Sequence, residues 1–141
     1  MADTELSLDT AYAIVLSAPS DAHHEQAVTL AGWIESSWIR LITTRAVMLE
    51  IGNALAKARY RSAAVELLEA IENDKSVEVI ALSETLSERA YRLFRYRTDK
   101  EWGMIGCVSF IVMEDRQITD APTTDELFQQ AGFRALLRGT T

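Results

Sequence analysis

The segment that decides the fold runs from residue 99 to residue 113 and reads DKEWGMIGCVSFIVM. Charged residues lead into a nearly unbroken apolar run, which predicts a buried helix over residues 104–113. Gly106 lies within the first turns of that helix, where a glycine costs about 1 kcal/mol relative to alanine. Helix propensity alone therefore does not explain this glycine.

The composition is that of a globular protein. The 141 residues are 48% hydrophobic and 25% charged, which suits one domain over residues 1–141 better than two. No apolar run reaches the roughly 20 residues that span a bilayer, and the acidic start MADTELSLDT does not resemble a secretion signal. One cysteine, Cys107, excludes an internal disulfide and fits a reducing compartment. We therefore expect a cytoplasmic protein with no membrane association and with a buried, inert thiol.

The charge is acidic overall but unevenly distributed. A net charge of −7 and a pI of about 4.8 argue against a dedicated nucleic-acid binder. Basic residues nevertheless cluster late in the chain, at Arg89, Arg92, Arg95, Arg97 and Lys100. The cluster is either a solvated helix face or a local patch that contacts phosphates.

Short strand-like segments alternate with longer helical ones. Strands are predicted at residues 6–9, 38–43, 77–82, 118–122 and 133–137. Helices are predicted at residues 21–36, 45–58, 62–72 and 104–113, and a further helix is predicted to begin at residue 83. Thr44 is the predicted N-cap of the helix at 45–58, and Thr124 is predicted to cap a short helix that follows it. This alternation predicts an α/β domain with a mostly parallel, five-stranded central sheet flanked by helices.

Ligands of open parallel sheets bind beyond the carboxyl ends of the strands, so acids there are candidate site residues. Asp9 ends the first predicted strand, Glu50 lies among apolar neighbours on the helix after the second, and Asp125 follows the fourth. Three converging carboxylates would suit Mg²⁺ or Mn²⁺. Each acid also has a structural interpretation, as a helix cap, a helix-edge side chain or a first-turn acid.

Four segments carry a family resemblance in order: LDTAYAIVLSAPSDAHHEQA (8–27), LITTRAVMLEIGNALAK (41–57), DKEWGMIGCVSF (99–110) and TTDELFQQAGFRALL (123–137). Together they resemble the PIN domain of VapC-type toxin ribonucleases. The resemblance implies that Asp9, Glu50 and Asp125 are catalytic metal ligands. It also implies an aspartate at the position where this chain has Gly106.

The resemblance implies hydrolysis of RNA assisted by Mg²⁺ or Mn²⁺, an antitoxin partner and a homodimer. Thr10 and Asn53 are expected to orient the carboxylates by hydrogen bonding. Arg89, Arg92 and Arg95, spaced by three residues, are expected to contact RNA. Three tryptophans, Trp33, Trp38 and Trp102, are candidates for apolar surface covered in a dimer.

Two further readings compete with an active ribonuclease. Because Gly106 replaces an expected ligand, the chain could be an inactive PIN-fold module that binds RNA or an antitoxin-like partner. A phospho-acceptor signalling domain would need an aspartate at the end of the third strand. The segment VEVIAL (77–82) has none.

Overall fold

The computed structural model describes residues 4–138, and strands and helices alternate along them. The elements in chain order are β1 (Glu5–Ser7), α1 (Thr10–Leu16), α2 (His24–Ser36), β2 (Arg40–Thr44), α3 (Arg45–Ala54), α4 (Ala58–Asn73), β3 (Val77–Ile80), α5 (Glu84–Tyr96), α6 (Met104–Asp115), β4 (Asp120–Ala121), α7 (Glu126–Gln130) and β5 (Arg134–Ala135). This order confirms the predicted α/β class. None of the helices in the described part of the chain is long and apolar enough to cross a membrane.

The prediction of one five-stranded sheet is wrong, because the strands form two parallel sheets. β1, β2 and β3 lie side by side in that order, with Leu6 opposite Leu41 and Ile42 opposite Glu78. β4 and β5 pair only with each other, with Asp120 opposite Arg134. Each of these two strands is two residues long and offers few backbone hydrogen bonds to a further strand. Nevertheless β4 lies next to β1 in the fold.

Helix α6 is the centre of the fold. Seven consecutive residues, 107–113, are buried, as expected for a helix that is apolar on all sides. Cys107 is buried and free, as predicted. One apolar cluster forms around α6 with β2, α5 and the β4–β5 region, and a second lies among α1, α2, α3 and α4. The two clusters together cover both faces of the three-stranded sheet.

Several predicted boundaries need correction. α3 ends at Ala54 and α4 begins at Ala58, so the predicted breaks at 58 and 62 were misplaced by about one turn. The cap of α7 is Asp125, whose side chain accepts from the Leu127 N–H, and not Thr124. β2 starts late because Trp38 adopts a left-handed conformation (φ +57°) at the end of α2. The short helix α1, capped by Asp9, had no predicted bounds.

A cluster of charged residues ties the strands of the larger sheet to the end of α6. Arg116, directly after α6, donates hydrogen bonds to Glu5 on β1 and to Glu78 on β3. Arg40 on β2 also pairs with Glu78. The hydrogen bonds from Arg116 hold the pKa of Glu5 below its ordinary value. Arg116 is therefore the one side chain of this cluster that bridges both outer strands.

Replacing Arg116 with methionine should lower the free energy of unfolding by about 1–3 kcal/mol, because two partly buried carboxylates lose charge-assisted hydrogen bonds. Arg45→Met is the matched control, since Arg45 pairs with Glu72 at an exposed position, and it should cost less than about 0.5 kcal/mol. Urea denaturation measures both variants. Equal losses would show that Arg116 has no special structural role.

Candidate functional site

Asp9 is the most buried acid of the predicted site. It follows β1 and has only 6% of its surface exposed. Its carboxylate caps α1 by accepting from the Tyr12 N–H at 3.1 Å, and its other oxygen accepts from the Thr123 hydroxyl at 2.7 Å. The pKa of Asp9 is raised to about 6. Burial is the largest cause, the two hydrogen bonds act against it, and the negative charges of Asp125 and Glu50 add to it.

Glu50 lies in the middle of α3 and is half-buried. Its carboxylate accepts a hydrogen bond from the Thr10 hydroxyl, at the start of α1. The geometry therefore fits the orienting role expected of Thr10. Asn53 is exposed, and no hydrogen bond joins it to Glu50 among the described residues. The predicted role of Asn53 in orienting Glu50 is therefore not supported by a contact.

Asp125 approaches from the smaller sheet. It is half-buried between β4 and α7, and its carboxylate caps α7 through the Leu127 N–H at 2.9 Å. The Asp125 N–H donates to the Thr123 hydroxyl at 3.0 Å. Because the same hydroxyl donates to Asp9, Thr123 connects the two acids through one oxygen atom.

One cleft brings the predicted acids together. It has a volume of about 460 Å³, and its walls include Asp9, Thr10, Glu50, Gly106, Ser109 and Asp125. The cleft lies at the carboxyl end of β1 and the N-terminal end of α6, where ligands of parallel sheets bind. Within residues 4–138, however, no three His, Cys, Asp or Glu side chains are close enough together to hold a metal ion as they stand.

Gly106 faces this cleft without a structural need to be glycine. It is the third residue of α6, and a β-carbon built there would lie 3.8 Å from the Phe110 ring, an ordinary contact distance. The first turn of α6 contains no acid, and its N-cap, Gly103, provides no side-chain hydrogen bond. A β-carbon at position 106 therefore fits, and an acid there would interact favourably with the positive end of the helix.

The structure separates the three arginines of the predicted RNA patch. Arg89 forms a double hydrogen bond with Asp115, at 2.6 and 2.9 Å. Arg92 and Arg95 are exposed, and neither forms an ion pair with another described residue. Arg89 is thus engaged by an acid that the sequence did not suggest, whereas Arg92 and Arg95 are available to a partner.

Sequence reasoning missed two polar residues of the site: Ser109, which lines the cleft, and Thr123, which is bonded to Asp9 and Asp125 beneath it. Thr123 is fully buried, and Ser109 is a buried polar residue of α6, one turn after Gly106. A hydroxyl two residues before a capping aspartate is a local signal that could have identified Thr123. Ser109 gives no such signal, because a serine inside an apolar helix is compatible with many environments.

Burial of Asp9 predicts a pH-dependent stability. Its pKa of about 6 in the folded protein lies above the ordinary 3.8, so the folded state keeps a proton that the unfolded chain has already lost. Stability should therefore fall by about 1 kcal/mol as the pH rises from about 5 to about 8. Asp9→Asn should lack this part of the fall. Urea denaturation in EDTA at both pH values measures it, and equal falls in both proteins would contradict the prediction.

Comparison with known proteins agrees with the geometry. The family model of the PIN domain matches residues 8–133. The crystal structure of Mycobacterium tuberculosis VapC20, described as a sarcin-ricin loop cleaving toxin, superposes with a TM-score of 0.80 at 26% sequence identity. The match covers 91% of this chain and 95% of that one. A search of curated proteins found no match.

The match spans most of the chain, including the strand ends and helices that form the cleft. The similarity to VapC20 extends over nearly the full length of both proteins. The chain therefore belongs to the PIN domain family.

Proposed function

We propose that this protein is a divalent-metal-dependent ribonuclease of the VapC type, and that Gly106 weakens its activity. The observation that carries the proposal is the single cleft that gathers Asp9, Glu50 and Asp125 around Gly106. VapC20, with which the chain shares its fold, is described as a toxin that cleaves the sarcin-ricin loop. RNA is therefore the substrate class we propose.

The acidic side chains of the cleft suit Mg²⁺ or Mn²⁺ by the type of their ligand atoms. Asp9, Glu50 and Asp125 offer only oxygen atoms, which are the ligands that these hard ions prefer. The acids are too dispersed for three of them to hold one ion as they stand. Magnesium commonly uses one or two carboxylates and completes its coordination with water and substrate phosphate oxygens. A loosely held ion of this kind is what a site lacking one acid would support.

The residues of the chain have distinct tasks in this proposal. A bound ion would activate water and offset the negative charge of the phosphodiester. Thr123 fixes the carboxylate of Asp9 and the backbone of Asp125, while Thr10 orients Glu50. The buried position of Asp9 keeps its carboxylate in one orientation. These contacts pre-organise the ligands and reduce the rearrangement that metal binding requires.

A second candidate function is a module that binds a protein partner, with catalysis lost. A second, mostly apolar cleft of about 740 Å³ lies among α1, α2 and α4, and its lining includes none of Asp9, Glu50 and Asp125. Trp38 stands at its edge with 89% of its surface exposed. Such a surface suits an amphipathic, antitoxin-like segment. It would serve an active toxin and an inactive module equally.

The predicted homodimer was based in part on three tryptophans. Trp33 is half-exposed and Trp38 is exposed, but Trp102 is buried in the core. Only two of the three tryptophans can therefore contribute apolar surface to the proposed homodimer. The homodimer, the single domain over residues 1–141 and the cytoplasmic location stay predictions.

Replacing Gly106 with aspartate should raise Mn²⁺- or Mg²⁺-dependent RNA cleavage by at least roughly tenfold, because it restores a carboxylate ligand. Gly106→Asn is the matched control, since it adds nearly the same volume without the charge. Single-turnover cleavage of a mixed RNA pool, with EDTA as the blank, measures the rates. A folded aspartate variant that cleaves no faster than the parent would favour the binding module.

Replacing Arg92 and Arg95 together with alanine should weaken RNA binding and flatten its dependence on log salt by about 1.4 units, or about 0.7 for each lost phosphate contact. Unfolding stability should barely change, since both side chains are exposed. Arg89→Ala removes a charge from the same helix but leaves the proposed contacts intact. If Arg89→Ala changed the salt slope by as much as each of Arg92 and Arg95 does, the assignment of RNA contacts to Arg92 and Arg95 would be refuted.

A further inference from the structure

Exposed tyrosines and arginines share one surface of α5. Tyr91 is 52% exposed and Tyr96 is 83% exposed. Each lies four residues from an arginine on the same helix, Tyr91 from Arg95 and Tyr96 from Arg92, so that each pair is adjacent on the helix surface. The Arg95 guanidinium lies 5.8 Å from the centre of the Tyr91 ring. We call these four residues the tyrosine–arginine face.

The packing of α5 against α6 places the half of α5 that carries this face beside the half of α6 that lines the acidic cleft. Arg89, early in α5, pairs with Asp115 at the last residue of α6. Arg97, just after α5, lies 4.8 Å from the ring of Trp102, just before α6. The two helices therefore run antiparallel. The second half of α5 lies beside the first half of α6, whose residues 104–106 line the cleft.

The core does not need the rings of this face. α5 packs inward through Leu86 and Ala90, which are buried, and Leu93 packs against the same core. Scattered exposed aromatics are common on protein surfaces. Here two exposed tyrosines and two arginines that pair with none of the described acids lie within six residues, between 91 and 96. This combination of flat rings and positive charge matches the chemistry of nucleic acid.

We propose that the tyrosine–arginine face binds unpaired nucleotides of RNA. Tyr91 and Tyr96 stack on bases, and Arg92 and Arg95 contact the flanking phosphates. Bases inside a duplex are stacked on one another and offer no free face, whereas bases in single strands and loops do. The face would thus select single-stranded or looped RNA and present it beside the acidic cleft. This inference rests on the proposed ribonuclease function.

A second copy of the chain is a poorer occupant of this surface. A two-fold interface places the same patch of both copies in contact. A two-fold axis through the face would bring Arg92 and Arg95 of one copy against those of the other. Their repulsion would remain unless acids intervened, and neither arginine is paired with a described acid. An RNA backbone instead brings the opposite charge to both arginines.

The test replaces both tyrosines with leucine, which keeps apolar surface but removes the aromatic faces. The matched control is Tyr60→Leu on α4, where Tyr60 is 40% exposed and Arg59 lies 4.8 Å from its ring. Fluorescence anisotropy in EDTA measures binding of an unpaired RNA oligonucleotide and of the same strand annealed to its complement. Light scattering records the mass of each variant.

We expect the parent and Tyr60→Leu to bind the unpaired strand more tightly than the duplex. The Tyr91→Leu, Tyr96→Leu variant should lose roughly tenfold or more in affinity for the unpaired strand and little for the duplex. Its salt slope should not change, because the arginines remain. Unchanged affinity, or an equal loss for both RNAs, would overturn the inference. A loss of dimer mass with unchanged RNA affinity would overturn it in favour of a second copy.

The same variants in the Gly106→Asp background separate this inference from the proposed function. Suppose that metal-dependent cleavage is equally fast on unpaired and duplex RNA and is unchanged by the two tyrosine substitutions. That result would refute RNA binding by the tyrosine–arginine face and leave the ribonuclease assignment intact. A parent chain that binds neither RNA, and whose Gly106→Asp variant cleaves neither, would refute the ribonuclease assignment and the inference with it.

Discussion

The arrangement of the site depends on how the carboxylate of Asp9 is buried. A buried carboxylate is costly unless its oxygens receive hydrogen bonds. The Tyr12 N–H satisfies one oxygen from within α1, and the Thr123 hydroxyl satisfies the other from the loop after β4. Thr123 also receives the Asp125 N–H. The same bonds that make the burial tolerable therefore fix the loop of Asp125 against the end of β1, and this defines the cleft.

Much of the fold could be predicted because its signals are local. The apolar run of α6 and the capping Thr44 of α3 are readable within a few residues, and both helices are present as expected. The division into two sheets is not a local property. The segments that contain β4 and β5 were predicted as strands, but strands of two residues carry too little pattern to fix their partners, and their pairing is decided by other parts of the fold. A strand prediction therefore gave the segments but not their partners.

The same distinction applies to the site. Asp9, Glu50 and Asp125 could be selected because each follows a recognisable strand and because the family resemblance orders them. The contact between Asp9 and Thr123 spans 114 positions, and the residues around either one do not indicate that the two are in contact. The partner of Arg89 was missed for the same reason, since Asp115 lies on another helix. Gly106 was singled out because a glycine within an apolar helix conflicts with propensity, and the structure places it on the wall of the cleft.

The central claim is that the acidic cleft is a metal site weakened by the missing carboxylate at position 106. The most direct measurement is anomalous diffraction from crystals of the parent and of Gly106→Asp, both soaked in Mn²⁺. The account predicts a peak in the cleft, held by at least two of Asp9, Glu50 and Asp125, with higher occupancy in the aspartate variant. No Mn²⁺ in the cleft of the folded aspartate variant, or an ion held by other residues, would contradict the account.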